Sequence, residues 1–357
     1  MRQPSHLPQQ PARPNDRGPA RGPEPGWLPD SMPASVPDSV LDAATGSVRV
    51  ADALAAGVTR GRLRNPSLLS PVRGVRMSAD DAGDLVSRCR AIGLVLPGDA
   101  AFSHGTAAEL WRLPLPRTMD PAAPVHVSGP AGRTVIDARA LTTHEGIRPD
   151  DVARCHDLPV TTVARTWADL GTVLGLTDLV ILTDAILALR YPRTTASDLA
   201  RTLDRASGRR GCRALRRALG LARHLVDSPM ETRVRLQLIA SGFPCPLVGA
   251  DLFDDRGCSI ARPDLCWPTL RLAIEYDGEH HRTDRFQYAN DIQRKEQMED
   301  LGWRSIVLLS GDVHRRWTVT ESRITDAFAT RGVRDPSKVP SEPDTPTRTR
   351  LTTPRPT

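Results

Sequence analysis

Acidic side chains of the kind that bind Mg²⁺ occur on two neighbouring strand-like segments in the last third of the sequence. Within residues 270–277, the period of two of a β-strand places Glu275 and Asp277 on the same face, opposite the apolar side chains. Asp264 lies on the preceding segment, close enough through a hairpin to join them. Adjacent carboxylates on an otherwise apolar strand are costly unless a cation or a proton neutralises them. The pattern therefore predicts a site for Mg²⁺, or Mn²⁺, with waters filling the other ligand positions.

Three further residues near these carboxylates carry groups that suit the same chemistry. Glu231 opens a helix in the pattern Ser228-Pro229-Met230-Glu231, where it either completes a capping box or joins the acidic site. His280 and His281 follow the acidic strand closely and are candidates for a general base or a phosphate partner. Both interpretations of Glu231 remain open on these residues alone.

The elements that must position these side chains follow from the spacing of turn residues. Strands are predicted over residues 246–253, 258–265 and 270–277, with short gaps rich in Asp, Gly, Pro and Thr. Such gaps favour an antiparallel meander. A helix from Pro229, capped by Ser228, is predicted to precede the meander.

This set of motifs resembles the PD-(D/E)XK nuclease superfamily and, more closely, the Vsr-like endonuclease domain of unknown function that is common in actinobacteria. The resemblance covers about residues 227–330, within a predicted domain of residues 227–333, and depends on Arg262-Pro263-Asp264 and on the run from Ile274 to His281. It implies a restriction-endonuclease-like α-β-β-β-α-β core and Mg²⁺-dependent phosphodiester cleavage. It also implies that Glu231, Asp264 and Glu275 bind the metal, with Asp277 as a further candidate ligand.

The sequence departs from that superfamily at one position. The usual lysine, two residues after the glutamate, is replaced by Asp277. His280 or His281 would then take the basic role and Arg294 the charge-stabilising one, with Lys295 as a weaker substitute. A relative that binds nucleic acid without cleaving it remains an alternative.

Residues 41–80 follow the plan of a winged helix-turn-helix. A short helix is predicted over Ala51–Ala56, a second begins at Thr59, and Leu68–Met77 has the alternation of a small β wing. The second helix would be the recognition helix, and its arginines are the candidate DNA contacts: Arg60, Arg62 and Arg64.

With two later motifs, this region resembles the AbiEi-type antitoxin of type IV toxin–antitoxin systems. The motifs are Ser103-His104-Gly105-Thr106-Ala107-Ala108 and Leu158-Pro159-Val160-Thr161-Thr162. The resemblance implies a winged-helix DNA binder that represses its own promoter and has a cognate toxin as a partner.

The middle of the chain offers a scaffold and a basic helix. Residues 81–208 mix helical and strand patterns, and the histidines are interpreted as separate structural or exposed residues: His104, His126, His144 and His156. Residues 209–226 predict one amphipathic helix whose polar side carries candidate phosphate contacts, namely Arg209, Arg213, Arg216 and Arg217.

Composition limits the remaining classes. Residues 1–40 and 334–357 are proline-rich and are predicted to be disordered tails. The net charge of +6 is compatible with a polyanionic partner. The six scattered cysteines predict buried free thiols in a reducing cytoplasm rather than disulfides or a zinc ribbon. No apolar run reaches the length of about 18 residues that a membrane-spanning helix requires, so no membrane partner is expected.

Taken together, the sequence predicts an α+β multidomain protein of the cytoplasm that binds DNA through its arginines. The C-terminal domain is predicted to be an Mg²⁺-dependent phosphodiesterase of endonuclease type. One alternative is a non-enzymatic regulator of antitoxin type with a degenerate nuclease fold. Another is an RNA-processing nuclease with the same site and a different substrate.

Overall fold

The computed structural model of the protein describes residues 46–116, 124–132, 135, 139–253, 258–278, 294–342 and 349–350. These residues form helices and four β-sheets of mixed strand direction. The architecture agrees with the α+β class that the sequence predicts.

The N-terminal unit is a small antiparallel sheet with one short helix. Strands β1 (Ser47–Arg49), β2 (Leu68–Leu69) and β3 (Val75–Ser78) lie in the order β1-β3-β2. Helix α1 spans Val50–Ala55, between β1 and β2. Gly74, with a φ of +87°, makes the turn before β3, because a left-handed backbone is open to glycine at little cost.

The predicted recognition helix is reduced to a single 3₁₀ turn over Arg62–Arg64. Thr59 Oγ1 accepts a hydrogen bond from Arg62 N at 3.4 Å, as a helix cap would. The chain then reaches Asn65 and Pro66, and a residue before proline disfavours the α conformation. Arg60 and Arg64 are exposed, and Arg62 is half-buried.

A five-stranded sheet forms the middle of the protein, in the order β6-β5-β4-β8-β7. Its β5–β6 and β4–β8 pairs are parallel, and the other two pairs are antiparallel. The strands are β4 (Ala101–Phe102), β5 (Val125–Gly129), β6 (Leu141–Glu145), β7 (Val152–Cys155) and β8 (Leu158–Thr161). Helices α2 (Leu85–Gly93) and α3 (His104–Leu110) pack against this sheet.

A helical layer follows the sheet and has its own core around the buried Trp167 and Leu182. Its helices are α4 (Val163–Leu170), α5 (Leu176–Leu187), α6 (Ala196–Arg205) and α7 (Cys212–Leu221).

Helix α7 is the observed part of the predicted basic helix and is shorter than predicted. Gly211, with a φ of +90°, precedes its first turn, and the backbone is extended at Ala222. Arg209 therefore lies before the helix. It is exposed, as are three arginines on the face away from the core, Arg213, Arg216 and Arg217.

The C-terminal part is built on a four-stranded sheet of order β14-β13-β12-β9, in which β13 and β14 are parallel. Its strands are β9 (Leu247–Val248), β12 (Leu265–Trp267), β13 (Leu272–Tyr276) and β14 (Arg304–Leu308). A second small sheet contains β10 (Leu252–Phe253), β11 (Ser259–Ala261) and β15 (Thr349–Arg350). The helices of this part are α8 (Pro229–Ala240), α9 (residues 294–300), α10 (Ser310–His314) and α11 (Trp317–Thr330).

Two of the predicted strands are each broken in two. Between β9 and β10, Gly249 has a φ of +53° and lies so close to Leu225 O that a Cβ atom there would be 2.5 Å from it. Between β11 and β12, Pro263 has no N–H group to donate to a strand partner. The halves of each predicted strand consequently belong to different sheets.

A buried ion pair fixes α8 to the helical layer. Arg235 of α8 donates to Asp184 of α5 at 2.8 Å, and neither side chain is exposed beyond 1%. Thr232 and the backbone N–H of Arg223 also donate to Asp184. Because every group that approaches this carboxylate is a donor, the buried charge is well compensated.

Other expectations from the sequence have mixed outcomes. The six cysteines form no disulfide, as predicted, and four of them are buried; the prediction of burial is wrong for Cys155, which is half-buried, and for Cys258, which is exposed. Residues 336–338, assigned to the C-terminal tail, form a 3₁₀ turn, and Ser341 and Glu342 bond to the backbone of Cys245. Among the described residues, no helix has the length and apolarity needed to cross a membrane.

Candidate active site

Glu231 is a buried carboxylate at the start of α8. Ser228 Oγ accepts a hydrogen bond from Glu231 N at 3.2 Å, and Pro229 occupies the first helical position. The Glu231 carboxylate accepts from Asp227 N at 3.0 Å, one residue before the partner expected in a capping box. These capping interactions account for the start of α8. They also hold the Glu231 carboxylate, which is only 7% exposed, towards the sheet.

Asp264 and Glu275 come from two adjacent segments of the C-terminal sheet. Asp264 directly precedes β12, and its Oδ2 accepts from Tyr276 N at the end of β13, at 2.7 Å. Glu275 lies on β13 beside Tyr276. This hydrogen bond holds the two carboxylates at the same end of the sheet, as the sequence predicts.

The alternation predicted for the acidic strand is present in the packing. Leu272 and Ile274 belong to the core cluster on one side of the sheet, whereas Ala273 belongs to the cluster on the other. Glu275 is half-buried and receives a hydrogen bond from Arg294 Nη2 at 3.2 Å. Ser305 Oγ, on β14, approaches its second oxygen at 3.5 Å.

Burial and, after it, the charge of a neighbouring carboxylate raise the pKa values of two of these groups, Glu231 and Asp264. Burial, and after it the negative charge of Asp264, raises the pKa of Glu231 to about 7. Burial also raises the pKa of Asp264, and Glu275 raises it further, while the Tyr276 hydrogen bond and Arg294 lower it. Glu231, Asp264 and Glu275, which we call the acidic cluster, are therefore electrostatically coupled.

The carboxylates of the acidic cluster are farther apart than the ligands of a preformed metal site. Among the described residues, no three carboxylate oxygens lie within 4.8 Å of one another. A single ion would be shared by all three groups only after their side chains draw together.

The remaining predicted site residues have different placements. Asp277 follows β13, is half-buried, and its backbone N–H donates to Leu308 O at 2.9 Å. Arg294 approaches the acidic cluster through Glu275, and Lys295 is exposed on α9. His280 and His281 lie outside the described residues.

Sequence analysis missed a second group of chemically active side chains. His104, His126 and His144 each offer a ring nitrogen within 4.8 Å of the others. Interpreting them as separate residues was therefore wrong, while His156 is exposed, as that interpretation allows. The signal was faint: His126 and His144 lie on strand-like segments, but only the pairing of β5 with β6 makes them neighbours.

Two relatives are similar in sequence to about two thirds of this chain. Both are uncharacterized proteins of Mycobacterium tuberculosis, MT2308 of strain CDC 1551 / Oshkosh and Rv2248 of strain ATCC 25618 / H37Rv. Each is 29% identical over 235 residues, which is 65% of this chain and 82% of the relative. No family model matches the sequence. Because both relatives are uncharacterized, their similarity assigns no activity to this chain.

Proposed function

We propose that the protein binds DNA and cleaves phosphodiester bonds at the acidic cluster in a metal-dependent, endonuclease-like reaction. The observation that carries this proposal is the convergence of Glu231, Asp264 and Glu275 at one end of the C-terminal sheet. Their repulsion, expressed in the raised pKa values of Glu231 and Asp264, favours a group that brings positive charge.

The donor set suits Mg²⁺ or Mn²⁺. All candidate ligand atoms are carboxylate oxygens, which hard divalent cations prefer over nitrogen or sulfur. When bound, such an ion polarises the phosphate and lowers the pKa of the attacking water.

The residues of this chain would divide the remaining tasks among them. Asp264 is oriented by the Tyr276 N–H group, which leaves its other oxygen for a ligand bond. Arg294 is close enough to Glu275 to neutralise it before substrate binds, and its guanidinium can then move to a phosphate oxygen. Asp277 cannot stabilise negative charge, so Arg294 takes the task of the superfamily lysine. A basic role for His280 or His281 is proposed from the sequence.

The order of elements supports the nuclease-like interpretation. Along the chain, α8, β9, β12, β13, α9 and β14 follow the α-β-β-β-α-β sequence expected of that core. The small β10–β11 hairpin is inserted between β9 and β12.

DNA affinity is assigned to two exposed arginine groups. Arg60 precedes the 3₁₀ turn and Arg64 is its last residue, with Arg62 between them. This turn lies before the β2–β3 hairpin, which fits a reduced winged-helix unit. Arg209 and the three exposed arginines of α7 form the second group. Phosphate contacts of this kind give affinity without sequence preference.

One observation favours a second candidate function. The Arg294–Glu275 ion pair balances one carboxylate without any metal, and Asp277 stands where the superfamily has its lysine. A non-enzymatic DNA-binding regulator of antitoxin type, with a toxin as partner, would retain this arrangement.

A plasmid-nicking assay separates the two functions. With Mg²⁺ or Mn²⁺ present, we expect the parent to nick supercoiled DNA. Glu275→Gln should be slower by at least about 100-fold, because it removes charge stabilisation at the reacting centre. Glu299→Gln is the matched control, since Glu299 is an exposed carboxylate on α9. A parent without activity on DNA would favour the regulator, and cleavage of RNA alone would change the substrate class.

A further inference from the structure

We propose that His104, His126 and His144, the histidine cluster, bind a divalent transition-metal ion such as Zn²⁺. This site is separate from the acidic cluster and does not depend on its function. Imidazole nitrogens suit zinc and its neighbours in the transition series, whereas Mg²⁺ prefers oxygen. The two clusters would therefore select different metals.

Sheet pairing brings the three residues together from distant parts of the sequence. In the parallel β5–β6 pair, His126 is opposite Thr142 and Ser128 is opposite His144. On the other side of β5, Phe102 of β4 pairs with Val127, and the chain reaches His104 two residues later. The three imidazoles thus meet over one part of the sheet.

The rings are already close to ligand spacing. The ring centroids of His104 and His144 are 3.6 Å apart, and His126 Nδ1 is 2.9 Å from His144 Nε2. One nitrogen from each ring lies within 4.8 Å of the others. With Zn–N distances of about 2.0–2.1 Å, ligand nitrogens in a tetrahedral site are about 3.3 Å apart, which is within the spacing seen here. The rings are stacked, so they would have to tilt relative to one another to direct their lone pairs at one ion.

A buried carboxylate oxygen beside the cluster is the second observation that points to a cation. Arg165 Nε donates to Asp169 Oδ1 at 2.8 Å. Asp169 Oδ2 is buried, makes no hydrogen bond with the described residues, and lies 3.9 Å from His104 Nδ1. An unsatisfied buried carboxylate oxygen is costly, and an ion among the adjacent imidazoles would compensate it. Carboxylates commonly orient histidine ligands in this way.

The protonation state of the rings suits metal binding. Burial, reinforced by neighbouring positive charges, lowers the pKa of His104 and of His144 to about 4, and burial lowers that of His126. A histidine binds a metal ion through its neutral form, which these shifts favour. Protons compete little with a metal ion at such a site.

The backbone at His104 is strained in a manner that fits a functional position. His104 has a φ of 51°, in the left-handed region that non-glycine residues rarely adopt. His104 is the first residue of α3, and Gly105 follows it. The unfavourable backbone conformation is therefore at the residue that carries the imidazole ring and not at the neighbouring glycine. Strained residues of this kind concentrate at binding and catalytic sites.

A cavity of about 340 Å³ gives the cluster a route to solvent. Its lining includes His104, His144 and Asp169 from the cluster side. Five arginines are among the other lining residues, and one of them, Arg165, is paired with Asp151 and Asp169. Arg205 and Arg209 are exposed, so solvent screens their repulsion of an incoming cation.

Zinc affinity of the metal-stripped, full-length protein tests the proposal, with excess Mg²⁺ present to occupy carboxylates. In competition with a chromophoric chelator, we expect the parent to bind one Zn²⁺ per chain. Asp169→Asn should weaken binding by about 10–100-fold, as loss of an orienting partner does, and His144→Gln should weaken it more. His156→Gln, an exposed histidine outside the cluster, should have no effect. A parent that binds no Zn²⁺, or a His144→Gln protein that binds it equally well, would overturn the site.

A measurement on the parent alone covers the case in which His144→Gln does not fold. X-ray absorption at the zinc edge should show imidazole nitrogens at about 2.0–2.1 Å. A first shell made only of oxygen or sulfur would place the ion elsewhere and contradict the proposal.

Discussion

The acidic cluster and the histidine cluster are formed from similar elements, but burial shifts the pKa values of their side chains in opposite directions. Each takes its side chains from adjacent strands and from the start of a helix. Burial raises the pKa of Glu231 to about 7, whereas it lowers the pKa of His104 to about 4. Glu231 consequently retains its proton up to higher pH, and that proton must leave before a metal binds, whereas His104 loses its proton at lower pH than an exposed histidine does.

The two proposals together assign to this fold two cation sites of different selectivity. Oxygen donors with residual negative charge would take a hard ion, and neutral nitrogen donors a softer one. The following predictions test whether the two sites belong to one folded body, respond oppositely to pH, and are distinct from the DNA-contacting surface.

The largest effect is expected at the ion pair that joins α8, which bears Glu231, to the helical layer. Arg235→Met leaves Asp184 buried without its main counter-charge and should cost about 3–5 kcal/mol of unfolding free energy. Arg233→Met is the control on the same helix, because its pair with Asp178 is about one-third exposed. That change should cost less than about 1 kcal/mol.

Urea unfolding followed by circular dichroism would measure both variants. A parent that unfolds in one transition, with equal losses in the two variants, would contradict the assigned importance of the buried pair. Two separate transitions in the parent would show instead that the clusters lie in independent units.

An intermediate effect is expected from pH. The pKa of Glu231 in the folded protein, about 7, exceeds its ordinary 4.5, so its contribution to stability is present below 4.5 and is lost as pH rises towards 7. The pKa of His104 is about 4, below its ordinary 6.5, so its contribution is present above 6.5 and is lost as pH falls towards 4.

Glu231→Gln tests the first half of this statement. The variant should match the parent near pH 4.5 and become progressively more stable than the parent as the pH rises from 4.5 to 7, because the parent then ionises a buried carboxylate. The opposite pH dependence is expected for His104→Gln. The unfolding free energy of the parent relative to this variant should decrease as the solution is acidified. Denaturation curves over this range provide the measurement, and a difference independent of pH would refute the assigned ionisation.

The smallest effect is expected on DNA binding. Replacing Arg213, Arg216 and Arg217 with Ala should reduce the slope of log affinity against log salt by about 0.9 for each arginine that binds a phosphate in the parent. Exposed arginines elsewhere form the matched control: Arg139, Arg154 and Arg334. Gel shifts at several salt concentrations on both triple variants would decide. Equal slopes in the two variants would remove α7 from the DNA-contacting surface.

Local sequence signals predicted much of the acidic site, because its geometry is set within a few residues. Ser228 and Pro229 start α8 where capping preferences place them, and the period of two puts Ile274 in the core and Glu275 outside it. The breaks at Gly249 and Pro263 were missed, since a glycine's φ depends on close approach by another segment, here Leu225.

The histidine cluster lay beyond this kind of inference. His104 and His144 are far apart in the chain, and only the strand order β6-β5-β4 brings them together. Strand order depends on the packing of whole elements, which periodicity does not encode.

Diffraction from crystals soaked in Mn²⁺ tests the central claim, a divalent cation site at the acidic cluster, most directly. The account predicts an anomalous peak bonded to Asp264 and Glu275, with Arg294 displaced from its 3.2 Å contact with Glu275. The same soak of Asp264→Asn should lose the peak. Crystals of the parent that show no manganese there, with Arg294 still bonded to Glu275, would contradict the account.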